Sequence, residues 1–270
     1  MKINKFLIWA VIVLISIAVL IYFIRGAGVS KIEEKKLDQP KVAIAESIQR
    51  IQITGSRDCN DCPEMIEIPA GSFEMGEAGR THHVTFSKPF ALGKYEVTQA
   101  QWQAVMGKNP SYFKNCGGNC PVEQVSWDDI QQFIKKLNQK TGKRYRLPSE
   151  SEWEYACRAG GRNEYCGSDD PGSVSWNGGD KTHPVGRKQA NAFGLHDMSG
   201  NVWEWLQDTW HESYKGAPAN GAAWGGNTSY HVLRGGAWFS RQEDVNAVHR
   251  GRSIPPIADS GFGFRLAKTL

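Results

Sequence analysis

The sequence predicts one α+β domain with much irregular backbone, and three observations point there. Three short helices are marked by their own start signals, several short apolar runs read as scattered strands, and 29 Gly with 12 Pro supply turns and long shaped loops. The helices come first. Thr98-Gln99-Ala100-Gln101 is a capping box, followed by Trp102, Val105 and Met106 and stopped at Gly107. Ser126 opens the second, with Asp129 in its first turn. Ile130, Phe133, Ile134 and Leu137 then form a single apolar stripe at helical spacing, and Gly142 ends it. Ser149 with Glu152 caps the third, which carries Trp153 and Ala156 before Gly160-Gly161. Strands are expected at Met65–Ile68, His83–Phe86, Phe90–Tyr95, Val232–Arg234 and Gly263–Leu266. Ten Trp, each with an apolar body and one N–H to satisfy, call for a compact core or an aromatic-lined surface.

The amino terminus is organised differently. After a short flank (1–5) containing Lys2 and Lys5, an uncharged stretch runs from Phe6 to Ile24 and is closed by Arg25. Its length suits a helix crossing the hydrocarbon core. A cleaved signal peptide is the rival reading, but its apolar region is shorter and ends in small residues. Ile21-Tyr22-Phe23-Ile24-Arg25 is a poor cleavage site, and no Cys follows to carry a lipid. The expectation is an uncleaved transmembrane anchor at 6–24, a polar stalk at 25–57 and a folded domain at 58–270. Flanking charge (Lys2 and Lys5 against Arg25, Lys31, Lys35 and Lys36) slightly favours a cytoplasmic domain, yet long domains translocate largely regardless of it.

The six cysteines decide the compartment. They fall into three close pairs, Cys59 with Cys62, Cys116 with Cys120 and Cys157 with Cys166, which fits disulfides in the periplasm or at the cell exterior. Four zinc thiolates from the first two pairs and a redox-active C-x-x-C are the alternatives. A net charge of +4, with basic and acidic residues interspersed, offers no basic stripe, so no nucleic-acid partner is expected.

Seven blocks stand in one order: CPEMIEIPAGSFEMG (62–76), KYEVTQAQW (94–102), PVEQVSWDDIQQF (121–133), YRLPSESEWEYACRAGG (145–161), GLHDMSGNVWEW (194–205), VLRGGAW (232–238) and GFGFRLA (261–267). Together they resemble the formylglycine-generating-enzyme, or sulfatase-modifying-factor, family. The resemblance implies a C-type-lectin-like fold, one that serves catalysts and binding proteins alike, so function must come from the site. Family enzymes oxidise a substrate cysteine with copper(I) held by two thiolates, soft ligands that suit the metal. The matching positions here are Ser240 and Val245, and Ala237 replaces the site's serine. The resemblance thus implies a divergent member without the catalytic cysteine pair, and no copper is expected. An iron site of the sulfoxide-synthase kind needs a separate helical domain, for which residues 25–60 leave no room, and the seven His show no paired helical spacing.

Two further implications follow from the resemblance. A family calcium site maps onto Asp197, Gly200, Val202 and Glu204, two carboxylates and two carbonyls on a tight loop, suiting a structural calcium ion. The bland alternative is that Asp197 caps a turn and Glu204 pairs with an arginine. A ligand groove maps onto Trp238, Arg241, His249, Arg250 and Arg252, suited to an extended peptide, a glycan or an anion. Its alternative is that these arginines bind acidic loop residues and knit the fold. Arg265 is expected in a structural ion pair. The functional expectation is a membrane-anchored, extracytoplasmic, non-catalytic module for an envelope protein, peptide or glycan. The alternative is an oxidoreductase of the formylglycine-generating or pyoverdine-maturation superfamily with an altered site.

Overall fold

A computed structural model describes residues 55–270. The anchor expected at Phe6–Ile24 and nearly all of the stalk lie outside the described residues. Among the described residues no helix is long and apolar enough to cross a membrane.

The three helices begin where their side chains can satisfy the first free N–H groups. Helix α1 (Gln99–Met106) has Thr98 and Gln101 in a reciprocal capping box and ends at Gly107, whose φ of 81° is the left-handed conformation a Cβ penalises. Helix α2 (Trp127–Thr141) repeats the design with Ser126 and Asp129 and stops at Gly142, φ 69°. Its stripe of Ile130, Phe133, Ile134 and Leu137 is buried, each side chain contributing roughly 1.5–3 kcal/mol. Trp102 of α1 stacks on Phe133 of α2, with centroids 5.1 Å apart. Helix α3 (Glu150–Arg158) is capped by Ser149 and Glu152 and is buried from Glu150 through Cys157. Buried carboxylates need partners. Glu152 takes both terminal nitrogens of Arg146 at 2.6 Å, Glu154 takes Arg234 at 2.6 Å, and Glu150 takes Arg250 at 2.6 and 2.8 Å. A one-turn helix, α4 (Pro171–Val174), follows.

The strands form two larger sheets. The first runs in the order β1 (Gly55–Ser56), β2 (Met65–Ile68), β5 (Phe90–Gly93), β13 (Ala267–Thr269), β6 (Tyr145–Arg146). The carboxyl-terminal strand therefore sits inside the sheet that the chain opened. The second runs β11 (Arg250–Ser253), β10 (His231–Arg234), β9 (Trp203–Thr209), β12 (Phe262–Gly263), with β9 and β12 parallel. Two small pairs complete the domain: β3 (Gly71–Met75) with β4 (His82–Phe86), and β7 (Ser175–Trp176) with β8 (Ser199–Gly200). One apolar cluster gathers α1, α2 and the first sheet around Trp205 and Phe264; another centres on Trp153 and Phe86.

Two expected strands change. The strand expected at Phe90–Tyr95 ends at Gly93, with Lys94 giving a last N–H to Glu64 O just ahead of β2. Of Gly263–Leu266 only Gly263 is strand. Phe264 and Leu266 give their carbonyls to the N–H groups of Val97 and Gly93, while Arg265 turns inward.

Candidate functional site

The turn after β10 shapes the region where the resemblance places catalysis. Gly235 and Gly236 adopt φ of 91° and 78°. A Cβ on Gly236 would lie 2.6 Å from Val245 Cγ1, so glycine is what lets Val245 close against the turn. Val245 is fully buried and shares a small apolar cluster with Tyr165 and Val174. Ser240 is buried as well. Its Oγ accepts the Ala237 N–H at 3.0 Å, and its carbonyl accepts the Gly178 N–H. One position is thus a hydroxyl already used by the backbone, the other a packed isopropyl group. All six cysteines of the chain form disulfides, Cys59–Cys62, Cys116–Cys120 and Cys157–Cys166, and none is free. This sets aside the zinc arrangement of the first two pairs.

Trp238, the next residue of the turn, opens onto an aromatic ledge. Tyr112, Phe113, Trp238 and Phe239 follow one another edge to face, with centroids 4.9, 5.2 and 4.9 Å apart and interplanar angles of 86–88°. Tyr112 is 73% exposed and Phe239 48%. The Trp238 indole is fixed by donating Nε1–H to Ser260 O. The Tyr112–Phe113 half is held from below by Glu123, wholly buried, whose two oxygens accept the N–H groups of Tyr112 (2.9 Å) and Phe113 (2.8 Å). Burial pushes the Glu123 carboxyl above its usual range, and those two donors pull it partly back. Beside the ledge lies a cleft of about 560 Å³ between the 112–116 and 181–184 loops. The sequence reading missed Tyr112 and Phe113; two adjacent aromatics just ahead of the Cys116–Cys120 pair are the signal that was there.

The remaining groove residues take other partners. Arg241 pairs with Asp244 at 3.1 Å and Glu243 at 3.0 Å, and His249 faces Asp244 at 3.7 Å. Burial lowers the His249 pKa, with Asp244 opposing. Arg250 is locked on Glu150 and lies over Trp210 and Tyr214, while Arg252 reaches Glu212 at 2.6 Å and lies over Trp210 and Tyr230. Among the described residues no hydrogen bond or ring contact joins these arginines to Trp238. They are engaged by acidic residues and aromatic faces, and the expected single groove resolves into separate surfaces.

The segment expected to bind calcium forms a buried acidic cluster. Glu204 accepts Nε and Nη2 of Arg265 at 2.7–2.9 Å and Nε1 of Trp153 at 2.7 Å. Its lone pairs are therefore used, and the arginine partner weighed against calcium is the one present. Asp197 differs. It sits at φ 57°, one oxygen accepts the Gly186 N–H, and buried Oδ1 has no partner. Glu96, also buried, accepts Asn201 Nδ2 and the Val202 N–H. Burial, then the charges of Asp197 and Glu204, raise Glu96 well above its usual range, and burial raises Asp197. The residues fit a cation in part: Asp197 offers an open oxygen and the cluster is rich in negative charge, but Glu204 is occupied. Among the described residues no group of three or more His, Cys, Asp or Glu converges as a metal site.

This fold defines a divergent relative of the formylglycine-generating enzymes. The chain belongs to the sulfatase-modifying factor enzyme 1-like domain family, whose profile matches residues 52–270. It is similar to "Chaperone protein LppX" of Paenibacillus barcinonensis, 28% identical over 267 residues, covering 78% of this chain and 90% of that protein. It is similar to the formylglycine-generating enzyme of Mycobacterium tuberculosis, 28% identical over 200 residues, and spans 63% of that enzyme's length with 63% of its own. Among solved structures it is similar to PvdO from Pseudomonas aeruginosa, with a TM-score of 0.74 and 33% identity over 81% of this chain and 98% of PvdO.

Proposed function

We propose that this chain is a non-catalytic binding and accessory module, tethered by Phe6–Ile24 and facing an oxidising compartment, that holds a peptide or glycan of the cell envelope. The observation that carries the reading is the packing of the pocket where the resemblance would put catalysis. Where the family's copper thiolates belong, Ser240 Oγ serves a backbone N–H and Val245 is packed in an apolar cluster. Hydroxyl and isopropyl groups are no ligands for a soft metal. The aromatic ledge beside that pocket supports binding, since exposed rings give large contact area at low entropic cost. Three disulfides support the periplasm or cell exterior. The similarity to a protein named as a chaperone supports an accessory role. A structural calcium ion at Asp197, with the Gly200 and Val202 carbonyls and with Glu204 partly released from Arg265, is a subsidiary proposal supported by the open Oδ1.

The rival is an oxidoreductase with an altered site. Full-length protein in detergent, given copper(I) or iron(II), oxygen and cysteine-containing peptides, separates the two. The expected result is oxygen uptake no faster than the protein-free blank; uptake coupled to a modified peptide would defeat the binding reading.

A further inference from the structure

The cleft beside the aromatic ledge carries chemistry that narrows the ligand. Tyr112 and Phe113 form one wall with Asn115; Lys181, Thr182 and His183 line the other. Two of these side chains are poised in an unusual way. Thr182 is 1% exposed, yet its Oγ1 has no hydrogen-bond partner. A buried hydroxyl left unpaired costs about 1–3 kcal/mol and is uncommon in a folded protein. The His183 ring is stacked flat on Trp176, 3.8 Å between centroids, and no hydrogen bond engages its nitrogens among the described residues. Burial, with the Lys181 charge, holds its pKa below the usual histidine value, so the ring is neutral at pH 7. The Asn115 side-chain amide is exposed at the cleft and makes no hydrogen bond to another described residue.

We infer that this cleft is a carbohydrate subsite, in which the ledge takes the C–H face of a pyranose and Asn115, Thr182 and His183 take its hydroxyls. The inference rests on the binding reading above and names its ligand class. The reasoning is one of matched valence. A hydroxyl, a neutral imidazole and an amide each both donate and accept. Groups of that kind suit a ligand whose own groups also do both, which describes sugar hydroxyls. An anion calls for donors alone, and Lys181 is the one donor-only side chain of the set. A peptide bound by strand addition needs a free strand edge, and neither wall of the cleft is a strand; a proline-rich peptide on the rings is the competing ligand, and the titration includes it. The rings supply the apolar surface that an equatorially substituted sugar presents on its faces.

The test titrates the full-length chain in detergent with cellotetraose and with chitotetraose, read by calorimetry and tryptophan fluorescence. An acidic tetrapeptide and a proline-rich peptide are titrated alongside. Saturable binding of at least one saccharide is expected, weakened at least about tenfold by Tyr112→Ala and by Thr182→Val. Thr182→Val removes an unpaired hydroxyl, so its melting temperature should hold or rise while binding falls, a combination a merely structural role would not give. No saccharide binding up to about 10 mM, or binding indifferent to both variants, overturns the inference. Peptide binding that depends on these residues without saccharide binding also overturns it, while leaving the binding-module reading in place. Oxygen uptake in the earlier assay would fail that reading independently.

Discussion

Replacing Arg265 with Met should cost this domain about 3–5 kcal/mol, the usual penalty for stripping the partner from a buried charge. The magnitude follows from the surroundings. Arg265 is fully buried and makes contacts at 2.7–2.9 Å to both oxygens of Glu204, a carboxylate that is also fully buried. Its other donors hold the carbonyls of Gly93 and His196 at 2.9 Å. Burial and then the charges of Asp197 and Glu204 raise Glu96, while burial and Glu204 raise Asp197 against the pull of Arg265, so the variant would leave a cluster of carboxyls with no cation. For a domain of this size, roughly 2–4 °C is lost per kcal/mol, so the melting temperature should fall by roughly 6–20 °C. Thermal unfolding followed by near-ultraviolet circular dichroism reads this directly. Arg265→Met combined with Glu204→Gln removes both charges and should lose less than the single variant, because a missing pair is tolerated better than a broken one. A single-variant loss below about 1 kcal/mol, or a double variant that merely adds two penalties, would refute the reasoning.

Three other outcomes are expected. Glu123→Gln keeps one acceptor beneath the ledge and turns an NH2 toward the other N–H, so it should cost about 1–3 kcal/mol in urea unfolding; an unchanged midpoint would remove Glu123 as the clamp on Tyr112 and Phe113. Asp208 is buried and accepts the N–H groups of Glu150 and Trp224, and burial raises its pKa to about 7. The folded state then holds the proton more tightly than the unfolded chain, so its contribution is full below about pH 4 and is lost as pH rises through about 7; Asp208→Asn should flatten that part of the stability profile, and an unchanged slope would contradict the assignment. Calcium should raise the melting temperature of the wild-type chain and chelator lower it, through the open oxygen of Asp197; no change with excess chelator would strike calcium from the account.

What was legible in the sequence was local. All three helices formed at Ser or Thr caps whose partner lies three residues on, because a capping box is settled within one turn. The disulfides joined near neighbours for the same reason. What escaped was decided at long range. Strand β9 has no alternating pattern, since Glu204, Trp205 and Leu206 are all buried and Trp205 and Leu206 enter different apolar clusters, so period-two reading passes over it. Phe264–Leu266 has strand-like composition, but Arg265 is drawn inward by Glu204, 61 positions away. The groove was read as one stretch of chain; the fold sends Arg250 and Arg252 to Trp210 and brings Phe113 to Trp238 instead. No pattern in residues 238–264 could have named a ring 125 positions earlier.

The most direct test of the whole account is whether this protein can hold copper(I). Full-length chain mixed with a copper(I)–bicinchoninate complex should leave the chelate's colour unchanged, because the oxygen of Ser240 is committed to a backbone N–H and every sulfur of cysteine is paired with another. Withdrawal of one copper(I) per chain from the chelator would contradict it.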